Sequence, residues 1–326
     1  MKKLFLILLA CLLLCGCTGR EAEVIPEYVL TYAENQPENH PSTMAAHYFA
    51  DMVKERTAGR IVIQILSDSQ LGTQQEILDQ IAFGGIDFTR VSLSSLSDEL
   101  PMLNVLQLPF LYEDADHLWR VLDGPIGDDF LQIFGEAGLV GMSWYDGGAR
   151  SFYATTPIES AADLRGLHIR VQDSQMMQDM ITLLGGVPVN IPYSDVYAAF
   201  QTGRIQAAEN SWTSYEIQSH HLPAPYYTVD EHTRVPEVQL ASGFLWEKLS
   251  EEDRAVILEC AQASAQYERT IWTQQEDQAR LNALTDGTRE IRLEAAAYRE
   301  LQELVQPLYE KYCGDYMNLI AQIQNG

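Results

Sequence analysis

Apolar and polar positions switch between helical and strand periods along most of this chain, most densely from Asp163 to Trp212. LHIRV is a short apolar run around one arginine and reads as a strand, whereas MMQDMITLL has helical spacing. Gly185 and Gly186 stop that helix, and VPVNI is extended before Pro192. Ser194 is placed to cap DVYAAFQTG, which ends at Gly203 ahead of a last strand into AAENSW. Strands alternating with helices predict a parallel sheet covered on both faces, with ligands at the carboxyl ends of the strands. Two polar residues fall at those ends, Arg170 in HIRV and Asn210 in AAENSW. An arginine there is costly unless something anionic meets it.

Half of an internal repeat lies in the same stretch. EILDQIAFGGIDFTRVS (Glu76 to Ser92) aligns without gaps on DVYAAFQTGRIQAAENS (Asp195 to Ser211), pairing Gly84 with Gly203 and Ile86 with Ile205. Each copy is an acidic first turn, an amphipathic helix, a glycine stop and a strand. Two domains of one architecture facing each other would produce such a match, and so would chance, because helix–glycine–strand is a common unit.

From the N-terminal side, EYVLTYA reads as a first strand, followed by the loop ENQPENHPS with Asn35, His40 and Pro41. MAAHYFADMVKERTAG is a helix ended by Gly59, IVIQIL a second strand, and Thr73 with Glu76 a capping box opening the first repeat helix. LPMLNVLQLPFLY is buried loop or strand, since Pro101 and Pro109 interrupt it. GLVGMSWYDG is a strand, and Gly147 and Gly148 mark a bend before Arg150, a first crossing between domains. VQLASGFLWEKLS returns a strand to the first domain. Ser250 then caps a helix that meets no Pro or Gly before Gly287, long enough to reach from one domain onto the other.

At 326 residues the chain can hold two domains with real cores, and 46% apolar residues exclude a disordered chain. A net charge of -25 excludes nucleic acid as a partner, because phosphate binding needs a basic face. It leaves room for a small anion held by a local arginine cluster. MKKLFLILLACLLLCGC has the order of a secretory signal, and Leu14-Cys15-Gly16-Cys17 resembles the bacterial lipobox, in which cleavage precedes a lipid-modified cysteine. Residues 1–17 are therefore read as signal plus lipidated Cys17, and 18–26 as a tether. Cys260 and Cys313 remain, each in a helical context that favours a free buried thiol over a disulfide. His220, His221 and His232 lie in a loop-rich region without metal-ligand spacing and read as surface or structural.

The motifs QLGTQQEILDQI, DLRGLHIRV, GGVPVNIPYSDVYAAFQTG, AEN and LWEKLSEEDRAVI together resemble the solute-binding subunit of tripartite ATP-independent periplasmic (TRAP) transporters, from about Tyr28 to the C-terminus. The resemblance implies a periplasmic-binding-protein-like α/β fold, with two domains, a ligand cleft between them and a long helix spanning both. It implies an extracytoplasmic monomer that needs no cofactor and delivers an organic acid to TRAP membrane permease subunits, and the lipobox adds a membrane tether at Cys17. On this chain the two domains fall at 27–147 with 236–275 and at 148–235 with 276–326. The family's carboxylate-binding arginine matches Arg170, a second arginine matches Arg150, the asparagine of its Glu-Asn motif matches Asn210, and an aromatic near the ligand matches Tyr193. Where the family commonly has proline after that asparagine, this chain reads Ser211-Trp212-Thr213. ENSWTSYE and YYTVDEHTRVPEVQLAS are similar to members that bind glucuronate or galacturonate.

The side chains suit that ligand class. A guanidinium offers a carboxylate two parallel donors, an asparagine offers donor and acceptor, and an aromatic face suits the apolar side of a sugar ring. Glu76 accepts from hydroxyls or merely caps its helix. Arg150 meets the ligand or bridges the domains, and Tyr193 meets it or fills the core. Trp212 packs at the hinge or stacks on the ligand, and Asn35 completes the candidate set. A C4-dicarboxylate or another sugar acid is the alternative ligand, and a ligand sensor for a membrane receptor the alternative role. An exported uronate-processing enzyme would want an acid–base pair, a serine elbow, a zinc motif or a Cys–His pair, and none appears.

Overall fold

A computed structural model describes residues 25–326, so the signal segment, Cys17 and most of the tether lie outside the described residues. The strands in chain order are β1 (Tyr28–Ala33), β2 (Ile61–Leu66), β3 (Phe88–Ser92), β4 (Leu139–Tyr145), β5 (Ala149–Ala154) and β6 (His168–Val171). They continue as β7 (Val187–Asn190), β8 (Ala207–Asn210), β9 (Tyr226–Arg234), β10 (Glu237–Ser242) and β11 (Arg289–Arg292). Two sheets result, ordered β2-β1-β3-β10-β4 and β11-β9-β5-β8-β6-β7. Each is the centre of one lobe.

The strands belonging to a sheet's own β-α-β units run parallel: β1 with β2 and β3, and β6 with β7 and β8. The expectation of parallel sheets fails at β5 and β10. Each of them pairs antiparallel with both its neighbours. The reason is topological, because both strands enter their sheet from the other lobe, through the connections 146–148 and 235–236.

The internal repeat is real in three dimensions. Helices Gln74–Ala82 and Val196–Gln201 feed β3 and β8, and Gly84 and Gly203 both adopt left-handed φ, +74° and +70°, where a side chain would be strained. Thr73 and Glu76 form the predicted capping box. Ser194 does not cap its helix. Pro192, with φ fixed at -52°, starts a 3₁₀ turn over Tyr193–Asp195, and Asp195 takes the N-cap position. The interrupted segment after Leu100 begins as a 3₁₀ helix, Pro101–Gln107, where loop or strand was expected, and continues as largely buried loop over 108–112.

The long helix Glu251–Thr285 has 35 residues, roughly 52 Å at ~1.5 Å rise per residue. Ser250 caps it by accepting from Asp253 N, and Glu251, Glu252 and Asp253 complement its dipole. It packs on helix Pro41–Arg56 and β4 in the first lobe and on helix Trp212–Ile217 in the second. Near its C-terminal end Glu276 accepts from Trp212 N and Thr213 N, both at 3.0 Å. The C-terminal helices tie the lobes again: Tyr309 Oη donates to Pro109 O at 2.8 Å, and His117 Nε2 lies 2.6 Å from Ile323 O. Among the described residues no helix is long and apolar enough to cross a membrane, and Cys260 and Cys313 are buried free thiols.

Candidate ligand-binding cleft

Between the lobes lies a cavity of about 320 Å³. The first lobe lines it with Asn35, Gln36 and His40 beyond β1, and with Thr73, Gln74 and Gln75 at a helix start. The second contributes Arg150, Arg170, Asn190, Tyr193 and Asn210, and Glu237 and Trp272 close it near the crossings.

Three arginines are buried in the described residues, and their partners set them apart. Arg90 on β3 pairs with Glu34 and, at 2.8 Å, with Glu237. Arg150 on β5 forms a fork on Glu209 of β8, with Nη2 2.8 Å from Oε1, a further bond to Glu209 O at 2.8 Å and one to Asn210 Oδ1 at 3.0 Å. Arg170, 6% exposed, makes a single bond, Nε to Ile191 O at 3.2 Å, with its guanidinium 5.8 Å from the Tyr193 ring centroid. Burial pulls its pKa down, opposed by Glu209 at a distance. The residue lines the cavity, and its two terminal nitrogens make no hydrogen bond and no ion pair with the described residues. A buried guanidinium in that condition calls for an anion, and its planar fork matches a carboxylate.

A profile of the DctP family, bacterial extracellular solute-binding protein family 7, matches residues 32–315. The chain belongs to that family. Among family 7 relatives it is 32% identical over 293 residues to a solute-binding protein of Chromohalobacter salexigens, covering 89% of this chain and 87% of that one. It is similar to the solved TRAP periplasmic solute-binding protein from Bradyrhizobium sp. BTAi1, in complex with galacturonate, at 35% identity and TM-score 0.89, covering 92% and 100% of the two chains. The Pseudomonas putida F1 TRAP protein with bound D-glucuronate matches at 28% identity and TM-score 0.88, covering 91% and 96%. Family 7 proteins are transport carriers and not enzymes. Among the described residues no group of three or more His, Cys, Asp or Glu is placed to hold a metal.

Five of the seven predicted ligand residues, Arg170, Arg150, Asn210, Tyr193 and Asn35, meet at this cavity of the family 7 fold. Arg150 forms its ion pair within the second lobe and does not bridge the domains. Four of a guanidinium's five N–H groups are engaged there, which leaves one for the cavity. Asn210 is a donor and not the donor–acceptor expected, because Oδ1 already accepts from Arg150 and, at 2.9 Å, from Ser211 N. Asn35 is held the same way, its Oδ1 accepting from Arg90 Nη2 at 2.8 Å. Guanidinium donors fix both amides by their oxygens, and neither NH₂ group donates to any of the described residues.

Glu76 and Trp212 are not brought to the cavity. Both hydrogen bonds that the Glu76 carboxylate accepts come from Thr73, N at 2.8 Å and Oγ1 at 3.0 Å, so the capping box holds it at the exposed surface. Trp212 stacks on Tyr227 at 3.6 Å as core packing behind the crossing. Sequence reasoning missed Glu237, Gln36, Asn190 and Trp272. The available signal for Asn190 and Gln36 was a polar residue at or just past an apolar strand, the same signal that found Arg170.

Glu209 is also held by His232, whose Nε2 lies 3.7 Å away and whose Nδ1 bonds Asp230 at 2.9 Å, so this histidine is structural. Burial opposes ionisation of both groups, but Arg150 and His232 bring Glu209 down to about 2, and Asp230 and Glu209 lift His232 to about 9. The raised His232 contributes stability that is complete below its unfolded value near 6.5 and is lost as pH rises through about 9. Glu209 contributes above about 4.5, and that is lost as pH falls toward 2. Burial also pushes Glu237 and Glu276 up to about 7, so the stability they keep by staying protonated is lost earlier, as pH rises from about 4.5 through about 7. The unliganded protein should therefore melt at a lower temperature at pH 9 than at pH 6, and His232→Asn should flatten that slope. A melting temperature that rises from pH 6 to 9 would contradict the assignment.

Proposed function

We propose that this protein is the solute-binding subunit of a TRAP transporter and captures a hexuronate, glucuronate or galacturonate, outside the cytoplasm. The observation that carries the ligand class is Arg170, a buried guanidinium without a carboxylate partner among the described residues, in a polar cavity of about 320 Å³. One free cation among the described cavity residues suits one carboxylate. A C4-dicarboxylate would bring a second, and Arg150 is already neutralised by Glu209 while Glu237 lines the same cavity. The amides of Asn35 and Asn210 suit hydroxyl and ring oxygens. Solved relatives that hold galacturonate and D-glucuronate support the same class. Calorimetry on protein starting at Thr18 tests it with D-glucuronate, D-galacturonate, succinate and the neutral hexoses. The hexuronates should bind best; tightest binding of succinate, or of a neutral sugar, overturns the reading.

In this reading the ligand closes two bodies, 27–147 with 236–275 and 148–235 with 276–326, by rotation at residues 146–148 and 235–236. The two crossings touch, since a Cβ on Gly147 would lie 2.6 Å from Val235 O. Small-angle scattering should give a smaller radius of gyration with saturating glucuronate or galacturonate, and superimposable curves would count against closure.

The same reading tethers the carrier, as a monomer, through lipid on Cys17. Cys17→Ala should release the protein from the membrane fraction with its hexuronate affinity unchanged. Retention equal to wild type would remove the lipid anchor from the proposal.

A further inference from the structure

The internal repeat places a charge-reversed copy of the Arg150–Glu209 pair in the first lobe. Arg90 and Glu209 occupy the same position of the two repeat copies. In the first sheet Arg90 faces Gln239 and Ser92 faces Glu237. In the second, Glu209 faces Phe152 and Asn210 faces Ser151, so one step further Ser211 faces Arg150. Glu237 therefore stands where Arg150 stands, each at the start of the strand that has just crossed from the other lobe. Both line the cavity.

The two carboxylates nevertheless differ. Both oxygens of Glu209 are taken by Arg150, whereas Glu237 gives Oε2 to Arg90 at 2.8 Å and its Oε1 accepts no hydrogen bond from the described residues. That side chain is 12% exposed and lines the cavity. The rest of the wall supplies donors in the Arg170 fork, one N–H of Arg150 and the fixed amides of Asn35 and Asn210, and further acceptors in Asp173 and in Gln36 Oε1, which accepts no hydrogen bond from the described residues. A sugar acid needs more than donors, because each hydroxyl also has a proton to give, and a buried hydroxyl without an acceptor is penalised.

Resting on the hexuronate reading, we propose that Glu237 is a specificity-determining residue that accepts a hydrogen bond from a ring hydroxyl, so that the ligand lies with its carboxylate on the second lobe and hydroxyls on the first. Arg90 acts through it as a positioning residue, holding Oε2 and leaving Oε1 to the ligand. The same negative oxygen disfavours a second carboxylate and so discriminates against dicarboxylates.

A ligand–mutant cycle tests this. Dissociation constants are measured by calorimetry for wild type, Glu237→Gln and Glu237→Asp with glucuronate, galacturonate, their 2-, 3- and 4-deoxy forms, and succinate. Glu237→Gln keeps an acceptor for Arg90 and turns a donor to the cavity; Glu237→Asp keeps the charge and withdraws it by one methylene. In wild type one deoxy form of the preferred hexuronate should bind roughly 10- to 150-fold more weakly than its parent. In both variants that penalty should shrink to within about threefold, because the acceptor is gone. Succinate should bind Glu237→Gln at least as well as wild type. A merely structural role would weaken parent and deoxy ligands alike and keep the penalty, which would overturn the assignment. Wild type that binds no hexuronate at all would instead overturn the reading it rests on.

Discussion

Arg170→Ala is expected to weaken hexuronate binding roughly 30- to several thousand-fold, the equivalent of the ~2–5 kcal/mol lost when one partner of a buried charge pair is truncated. The ligand carboxylate then enters a cavity whose other cation, Arg150, is neutralised by Glu209. Arg170→Lys keeps the charge without the planar fork and should fall between the two. The unliganded protein should respond in the opposite sense. Among the described residues Arg170 has one hydrogen bond, to Ile191 O, and no acid partner, so alanine removes an uncompensated buried charge and should raise the melting temperature. Calorimetry and thermal melts of the two variants check both halves. Undiminished affinity in Arg170→Ala would take the carboxylate clamp away from this residue.

The place of Arg170 at the cavity was legible in the sequence because a lone arginine in HIRV, at the end of an apolar strand, is costly without an anion. The signal could not rank Arg170 against Arg150 or Arg90. What separates them is distant partners: Glu209 is reached across a strand pair 59 residues apart, and Glu34 and Glu237 across 56 and 147. No local pattern encodes those pairings. The lobes were legible from alternating periods, yet the direction of β5 and β10 was not, because it follows from two crossings between sheets. Glu76 shows the converse. Its capping-box spacing with Thr73 was visible in the sequence, and those hydrogen bonds are what keep it out of the cleft. The repeat was visible as glycine and isoleucine matches, while its chemical content, a salt bridge with its charges exchanged, needed the strand register.

Arg90→Met should be among the most destabilising single changes in the protein. The arginine side chain is 0% exposed and shared between Glu34, itself 0% exposed, and Glu237. Methionine fills much of the volume but leaves two carboxylates in the core without their cation and Asn35 without its orienting donor. Breaking a buried pair from one side typically costs about 3–5 kcal/mol, a large share of the ~5–15 kcal/mol that holds most folded proteins together. The loss should depend on pH. Burial raises Glu237 to about 7 even with Arg90 opposing the rise, so without that opposition protonation is favoured further. A carboxylate raised in the folded state destabilises as pH climbs through that raised value, and Arg90→Met should therefore suffer more at pH 8 than at pH 5.5. Neutralising the orphaned acids is the control. Arg90→Met with Glu34→Gln and Glu237→Gln should recover most of the stability, because replacing a whole buried ionic set is far cheaper than removing one member. Denaturant titrations of the three proteins at both pH values read this directly. An Arg90→Met protein as stable as wild type at pH 8 would mean that the two glutamates are satisfied without it, and that the first lobe's copy of the ion pair is not what holds Glu237 in place.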